Sequence, residues 1–194
     1  IEQLMAAGVL ADGCRTLAYS YIGPKLSHAI YRDGTIGQAK KDLEATARSL
    51  DEKLKQIGGG AWVSVNKGLV TRSSAVIPII SLYLSVLFKV MKEKGTHEGC
   101  IEQMERLFAE RLYTGSNNGA GEVPVDSEKL IRIDDWEMAD DVQAEVDKIM
   151  ATISNENLSE YCDLEGYKHD FLATNGFDVE GVDYEAEITK MNAI

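Results

Sequence analysis

The pattern that most constrains this chain is a strand, a long amphipathic stretch and a second strand in direct succession. Residues 15–22 (Arg-Thr-Leu-Ala-Tyr-Ser-Tyr-Ile) are rich in aromatic and β-compatible side chains and stop at Gly23-Pro24. Proline cannot donate to a ladder, so the carboxyl end of this strand falls near Tyr21. From Thr35, apolar Ile36, Ala39, Leu43, Ala47, Leu50 and Leu54 recur at three- and four-residue spacings with charges between them, which predicts a long helix ending at Gly58-Gly59-Gly60. That glycine triplet follows a helix and precedes a strand, the reverse of a phosphate loop, and reads as a cap and connector. Residues 61–66 (Ala-Trp-Val-Ser-Val-Asn) form a short apolar run suited to a sheet covered on both faces. Joined through one helix, the two strands are predicted to be parallel. The fold class is α/β, a Rossmann-like parallel sheet with a large helical portion.

Beyond this crossover the pattern is helical. The loop at 67–71 is expected to feed a helix with Ser73 and Ser74 in its first turn, an order of elements that suits anion binding by free N–H groups. Pro78 is expected either in that first turn or at a kink. Ile79, Leu82, Tyr83, Val86 and Val90 carry the helix to Gly95. A further helix opens at Thr96-His97-Glu98-Gly99 and places Ile101, Met104, Leu107, Phe108 and Leu112 on one face, and residues 115–121 read as a polar connector. From Asp134 an acidic helical region follows, with Trp136, Met138, Val142, Val146 and Ile149 on one face and Asp134 or Asp135 as a cap. Two shorter helices are expected at 155–164 and 167–174, then an extended tail. Two regions result: residues 1–133, holding the sheet, and residues 134–194, an acidic helical segment packed on it.

Charge narrows the partners. Of a net −12, residues 1–97 carry 13 Lys+Arg against 8 Asp+Glu, net +5, while residues 98–194 carry 7 against 24, net −17. So acidic a half argues against nucleic acid or an anionic membrane as partner. The basic half suits a small phosphorylated ligand. The longest uncharged run, residues 73–88, falls short of the ~18 apolar residues of a membrane span. Cys14, Cys100 and Cys162 are widely spaced and show no zinc or disulfide pattern, which fits a reducing, cytoplasmic setting. The chain opens at Ile1 inside a helical run, and an upstream half is expected before it.

The chemistry centres on Tyr31 and Lys40, which flank a loop-to-helix junction beyond the first strand. On residue types alone, a packed tyrosine and a solvated lysine is the simpler reading. The functional reading is that a phenol, with a pKa near ~10, becomes an effective oxyanion partner when a nearby ammonium favours its ionised form. The same ammonium can hold the ribose hydroxyls of a nucleotide. His28, His97 and His169 do not cluster in sequence and read as structural or surface histidines.

Longer motifs sharpen this. Tyr19-Ser20-Tyr21-Ile22-Gly23-Pro24, Ile30-Tyr31-Arg32-Asp33-Gly34-Thr35-Ile36-Gly37 with Lys40 completing a Tyr-x8-Lys pair, residues 73–78, residues 88–100, Asp134-Asp135-Trp136-Glu137-Met138 and Gly181-Val182-Asp183-Tyr184 together resemble the NADH-dependent trans-2-enoyl-CoA reductase and enoyl-acyl-carrier-protein reductase family of the long, single-chain kind. Ala29 departs from the proline expected there, which loosens the loop and leaves the chemistry intact. The resemblance implies that this is the C-terminal half of a reductase of fatty acid biosynthesis, a monomer when complete. Its glycine-rich dinucleotide segment would lie upstream. It further implies Tyr31 as the proton-donating tyrosine, Lys40 as its partner and a contact of NADH, and Tyr21 as a second tyrosine near the thioester. Leu69, Val70 and Thr71 would touch the nicotinamide end, and the helix from Ser73 would line the acyl pocket. The substrate would be an enoyl-CoA or enoyl-acyl-carrier-protein thioester. Two alternatives are weighed: a ketone reductase of the short-chain type, whose tyrosine and lysine lie one helical turn apart, so that the x8 spacing speaks against it, and a non-catalytic acyl-CoA-binding or structural module.

Overall fold

The computed structural model describes residues 1–115 and 122–187. Strands β1 (Arg15–Ser20), β2 (Gly60–Val65) and β3 (Leu130–Arg132) form a parallel sheet in the order β1-β2-β3. Arg15 pairs with Gly60 and Ser20 with Val65, while Val63 pairs with Leu130. The predicted parallel pair is therefore present, and β3 adds a third strand that the sequence reading did not anticipate.

Helices cover both faces of the sheet, as a parallel sheet requires. Helix α3 (Thr35–Leu54) follows the short α1 (Glu2–Ala6) and α2 (His28–Tyr31) and lays Leu43 and Ala47 against Val63, Val65 and Leu130. On the other face, α5 (Cys100–Leu107) and a π-turn at Phe108–Leu112 bring Met104, Leu107 and Leu112 against Leu17, Trp62 and Ile131. The third cluster is helical. Helix α4 (Pro78–Lys94) packs Val86, Leu87, Val90 and Met91 against Val142, Val146 and Ile149 of α6 (Asp140–Met150), with α7 (Leu158–Tyr161) and α8 (Leu164–Thr174) closing around it. No helix among the described residues is long and apolar enough to cross a membrane.

Several expected boundaries move, each for a local reason. Helix α4 begins at Pro78 rather than near Ser73, because a proline without an N–H is at home at the first helical position. Residues 72–76 instead form turns, and the Ser74 hydroxyl accepts from the Thr71 N–H (2.8 Å) and donates to the Leu69 carbonyl (3.0 Å). The helix N-terminus expected at Ser73 is thus absent. Asp134 and Asp135 cap nothing: α6 starts at Asp140, and both acids are held by arginines. Ile101 and Phe108 point outward, leaving Gln103, Arg106 and Leu107 as the buried side of α5. Of the expected polar connector, residues 116–121 lie outside the described residues.

Candidate functional site

A cavity of about 720 Å³ opens at the carboxyl ends of β1 and β2, where parallel α/β sheets gather their ligands. Tyr21, Tyr31, Lys40, Leu69 and Thr71 line it, with Ile36, Ile80, Leu84 and Met104 as apolar wall. Five of the six predicted site residues are therefore together. The sixth, Val70, turns its side chain into the helical core and borders a neighbouring cavity of about 600 Å³ that also holds His97, His169 and Lys92.

The position of Tyr31 is set by two glycines. Gly23 ends the first strand's extension at φ +69°, and a Cβ there would lie 2.4 Å from the Tyr21 hydroxyl. Gly37, in the first turns of α3, is pressed so closely on the Arg32 carbonyl that a Cβ would fall 1.8 Å from that oxygen. The segment carrying Tyr31 thereby seats on the start of the helix carrying Lys40.

Within this frame the Tyr21 and Tyr31 rings meet edge to face, centroids 5.0 Å apart and planes at 80°. The Lys40 Nζ lies 4.9 Å from the Tyr31 ring centroid and donates to the Tyr21 carbonyl. This geometry corrects one expectation. Lys40 sits over the face of the phenol ring, a cation–π contact, and does not lower the Tyr31 pKa: burial raises it. Burial also lowers the Lys40 pKa, against the pull of Glu44. Tyr31 is accordingly a neutral phenol at neutral pH, with the Lys40 ammonium on its ring face.

Two buried ionisable groups escaped the sequence reading. Glu137, fully buried, accepts at Oε1 from the Tyr21 hydroxyl (3.0 Å) and the Tyr83 hydroxyl (2.7 Å), and at Oε2 from the Gly68 N–H (2.6 Å). Gln143 Nε2 donates to Tyr83 Oη (3.1 Å) and to the Glu137 carbonyl (2.7 Å). Burial pushes the Glu137 pKa up, opposed by its donors and by Lys67. Lys67, also buried, borders the cavity and donates to the carbonyls of Gly68 (3.1 Å) and Glu98 (3.0 Å), with Nζ 4.7 Å from the Phe88 ring centroid. Burial brings its pKa down to about 8. Glu137 stood inside a motif in the sequence, but its partners lie far away along the chain, and only an unpaired acid between Trp136 and Met138 marked it.

A tyrosine–lysine pair at the carboxyl edge of a parallel sheet, beside an apolar cavity, defines a reductase-type α/β site. The comparisons narrow the class. Residues 1–113 match the family model described as the trans-2-enoyl-CoA reductase catalytic region, and residues 125–188 match the one described as the enoyl reductase FAD binding domain. The chain belongs to the trans-2-enoyl-CoA reductase family.

It is 59% identical over 194 residues to the trans-2-enoyl-CoA reductase (NADH) of Treponema denticola, covering 100% of this chain and 47% of that protein. It is 54% identical over 188 residues to enoyl-acyl-carrier-protein reductase (NADH) 2 of Photobacterium profundum, covering 97% of this chain and 46% of the relative. The crystal structure of the Treponema denticola enzyme in complex with NAD superposes with a TM-score of 0.88 over 100% of this chain and 47% of that one, at 59% identity. That of the Clostridium acetobutulicum trans-2-enoyl-CoA reductase in complex with NADH gives 0.87 at 48% identity, over 96% and 46%. The chain spans about half the length of the curated relatives it matches.

The second family description names a flavin. Strand β3 is followed by residues 133–139, which contain no glycine, before α6 begins. That junction lacks the glycine-rich turn by which such elements cradle a dinucleotide.

Proposed function

We propose that this chain forms the thioester-facing half of an NADH-dependent reductase of trans-2-enoyl thioesters, carried on coenzyme A or an acyl carrier protein, which yields the saturated acyl thioester. The observation that carries the reading is the neutral Tyr31 phenol, set edge-on to Tyr21 under the Lys40 ammonium, beside a cavity walled by Ile36, Ile80, Leu84 and Met104. The relatives named for this activity with NADH support it. Bound NADH would supply the hydride that adds to the β-carbon.

The chain's own residues account for the rest. The Tyr31 O–H donates a hydrogen bond to the thioester oxygen as enolate charge develops on it, and a proton delivered by way of Tyr31 and replaced from solvent reaches the α-carbon, so that hydride and proton together saturate the double bond. Lys40 holds the Tyr31 ring and the end of the first strand in register, and its ammonium is near enough to the cavity to bind ribose hydroxyls. Leu69 and Thr71 face the nicotinamide end from the loop after β2, with Val70 contributing through its backbone. The apolar wall receives the acyl chain and keeps water from the enolate. In this reading the described residues up to 133 supply the catalytic surface and residues 134–187 brace it, through α6 on α4 and the Lys92–Asp163 (2.5 Å) and Lys94–Asp141 (2.6 Å) ion pairs.

The test is steady-state oxidation of NADH by the full-length protein with crotonyl-CoA. Tyr31→Phe is expected to keep NADH affinity and to lose about two orders of magnitude or more in turnover, the range for a general acid. Turnover by Tyr31→Phe at the wild-type rate would sink the assignment.

A further inference from the structure

We infer that Glu137 is a positioning residue for the reaction: it orients Tyr21, and through Tyr21 the Tyr31 phenol, while fixing the backbone at Gly68. The inference rests on the reductase reading above and extends it to a residue outside the cavity.

The argument starts from hydrogen counting. An ionised carboxylate only accepts, and the three groups on Glu137 are all donors: two phenols and one backbone N–H. Tyr83 receives the Gln143 amide, so its own proton goes to Glu137. The Tyr21 proton goes to the same oxygen. Tyr21 therefore has no proton left for a ligand, and the free phenolic donor of the tyrosine pair is Tyr31. What Tyr21 offers Tyr31 is a fixed ring edge, 5.0 Å from centroid to centroid.

The location of Glu137 explains why one side chain can do this. It lies just after β3, on the residues that continue past the sheet, while Tyr21 follows β1 and Gly68 follows β2. A single carboxylate thus ties the segments leaving all three strands on the side where the cavity opens. Space around it is used up: a Cβ on Gly68 would lie 2.7 Å from Leu84 Cδ2 and 3.3 Å from the Tyr21 hydroxyl. Neither the Tyr21 ring nor the loop after β2 can shift without disturbing the other. Buried acceptors left without donors, or donors without acceptors, are costly, so the arrangement is held as a unit.

The experiment is a double-mutant cycle in the full-length enzyme, read as kcat with crotonyl-CoA and NADH. Glu137→Gln keeps the volume but turns an amide toward the Gly68 N–H, and is expected to lower kcat at least tenfold. In a Tyr21→Phe background the same change is expected to cost less than threefold, because the residue it acts through has already lost its bond. A purely structural role would leave the two losses multiplicative, and that result overturns the inference, as does wild-type kcat in Glu137→Gln. Tyr83→Phe removes a donor from the same Oε1, stands outside the cavity and leaves the carboxylate in place. It is expected to lower kcat about threefold in the wild-type background and not at all with Tyr21→Phe, and it decides the matter if Glu137→Gln does not fold. A Tyr83→Phe enzyme at wild-type kcat counts against the inference. If the wild-type enzyme itself fails to oxidise NADH with crotonyl-CoA, the reductase reading falls and this inference falls with it.

Discussion

Glu137 and Arg106 are both buried charges, and they are handled in opposite ways. Arg106 is closed by opposite charge: Nε and Nη2 reach Glu98 at 2.8 and 2.7 Å, Nη1 reaches Asp135 at 2.8 Å, and Trp136 covers the guanidinium at 4.0 Å. Burial works against its charge, but the bonds to Glu98 and Asp135 outweigh this. Glu137 has three neutral donors and no direct cation, and burial wins, raising its pKa. The first arrangement is a closed ion-pair lock that ties α5 to the residues just past β3. The second holds a charge in tension next to a cavity, the condition in which side chains are found at working sites. Lys67 stands between them, bonded to the Glu98 carbonyl on one side and to the Gly68 carbonyl on the other.

The sharpest way to break this contrast is to open the lock. Arg106→Gln leaves Glu98, 4% exposed, without its cation, and removing one partner of a buried pair costs about 3–5 kcal/mol. Denaturant unfolding of the full-length protein should show that loss, while turnover per folded molecule changes less than twofold. A loss under about 1 kcal/mol would mean that the lock contributes little and that the distinction is wrong.

A smaller effect with the opposite signature is expected on the cavity side. Gly37→Ala drives a methyl onto the Arg32 carbonyl, and overpacking of this kind costs about 1–3 kcal/mol. Because the displaced segment carries Tyr31, kcat should fall by about tenfold, out of proportion to the stability change. Retained kcat in a destabilised variant would show that α3 and the Tyr31 segment are not coupled.

The last effect, read only as a change of slope with pH, concerns Lys67. Its folded pKa of about 8 lies below its ordinary 10.5, so between these values the unfolded chain binds the extra proton. Stability then rises with pH from about 8 upward, and below that both states are protonated and the burial penalty is fully present. The shift corresponds to about 3 kcal/mol of disfavoured charge. Tyr21 and Tyr83, raised well above 10 chiefly by burial, reverse the slope as pH approaches the tyrosine range. Cys162, whose thiol burial also pushes up from its ordinary 9.0, opposes Lys67 in the upper part of this window, so unfolding midpoints between about pH 8 and 9.5 should rise more steeply, or fall less, in the wild type than in Lys67→Met. Identical slopes would remove Lys67 from the account.

The parts of the fold that were legible in the sequence are those whose pattern is local and long. The strand ending near Tyr21, helix α3, β2 and the body of α4 each run for enough residues to show a period. Strand β3 has three residues, Leu130–Arg132, too few for any alternation, and it exists because Val63 and Val65 offer it a partner. The serines before α4 stay outside the helix because Pro78 sets its start, while Ser74 spends its hydroxyl on Thr71 and Leu69. In the site, Tyr31 and Lys40 were visible as a motif. The role expected of Lys40 in lowering the phenol's pKa was not met, since spacing along a chain does not say whether an ammonium reaches a hydroxyl or a ring face. Glu137 falls within a motif that gives it no function, because its meaning lies in donors from three other segments.

The sheet also carries a kinetic consequence. Arg15 must find Gly60, and Val63 must find Leu130, before either ladder exists, and pairing between residues so distant along the chain makes for slow folding. Tyr21, Lys40, Gly68 and Glu137 meet only when both searches have succeeded. The candidate site is then among the last features to assemble, and under the proposed function the recovery of turnover during refolding would time the completion of the sheet.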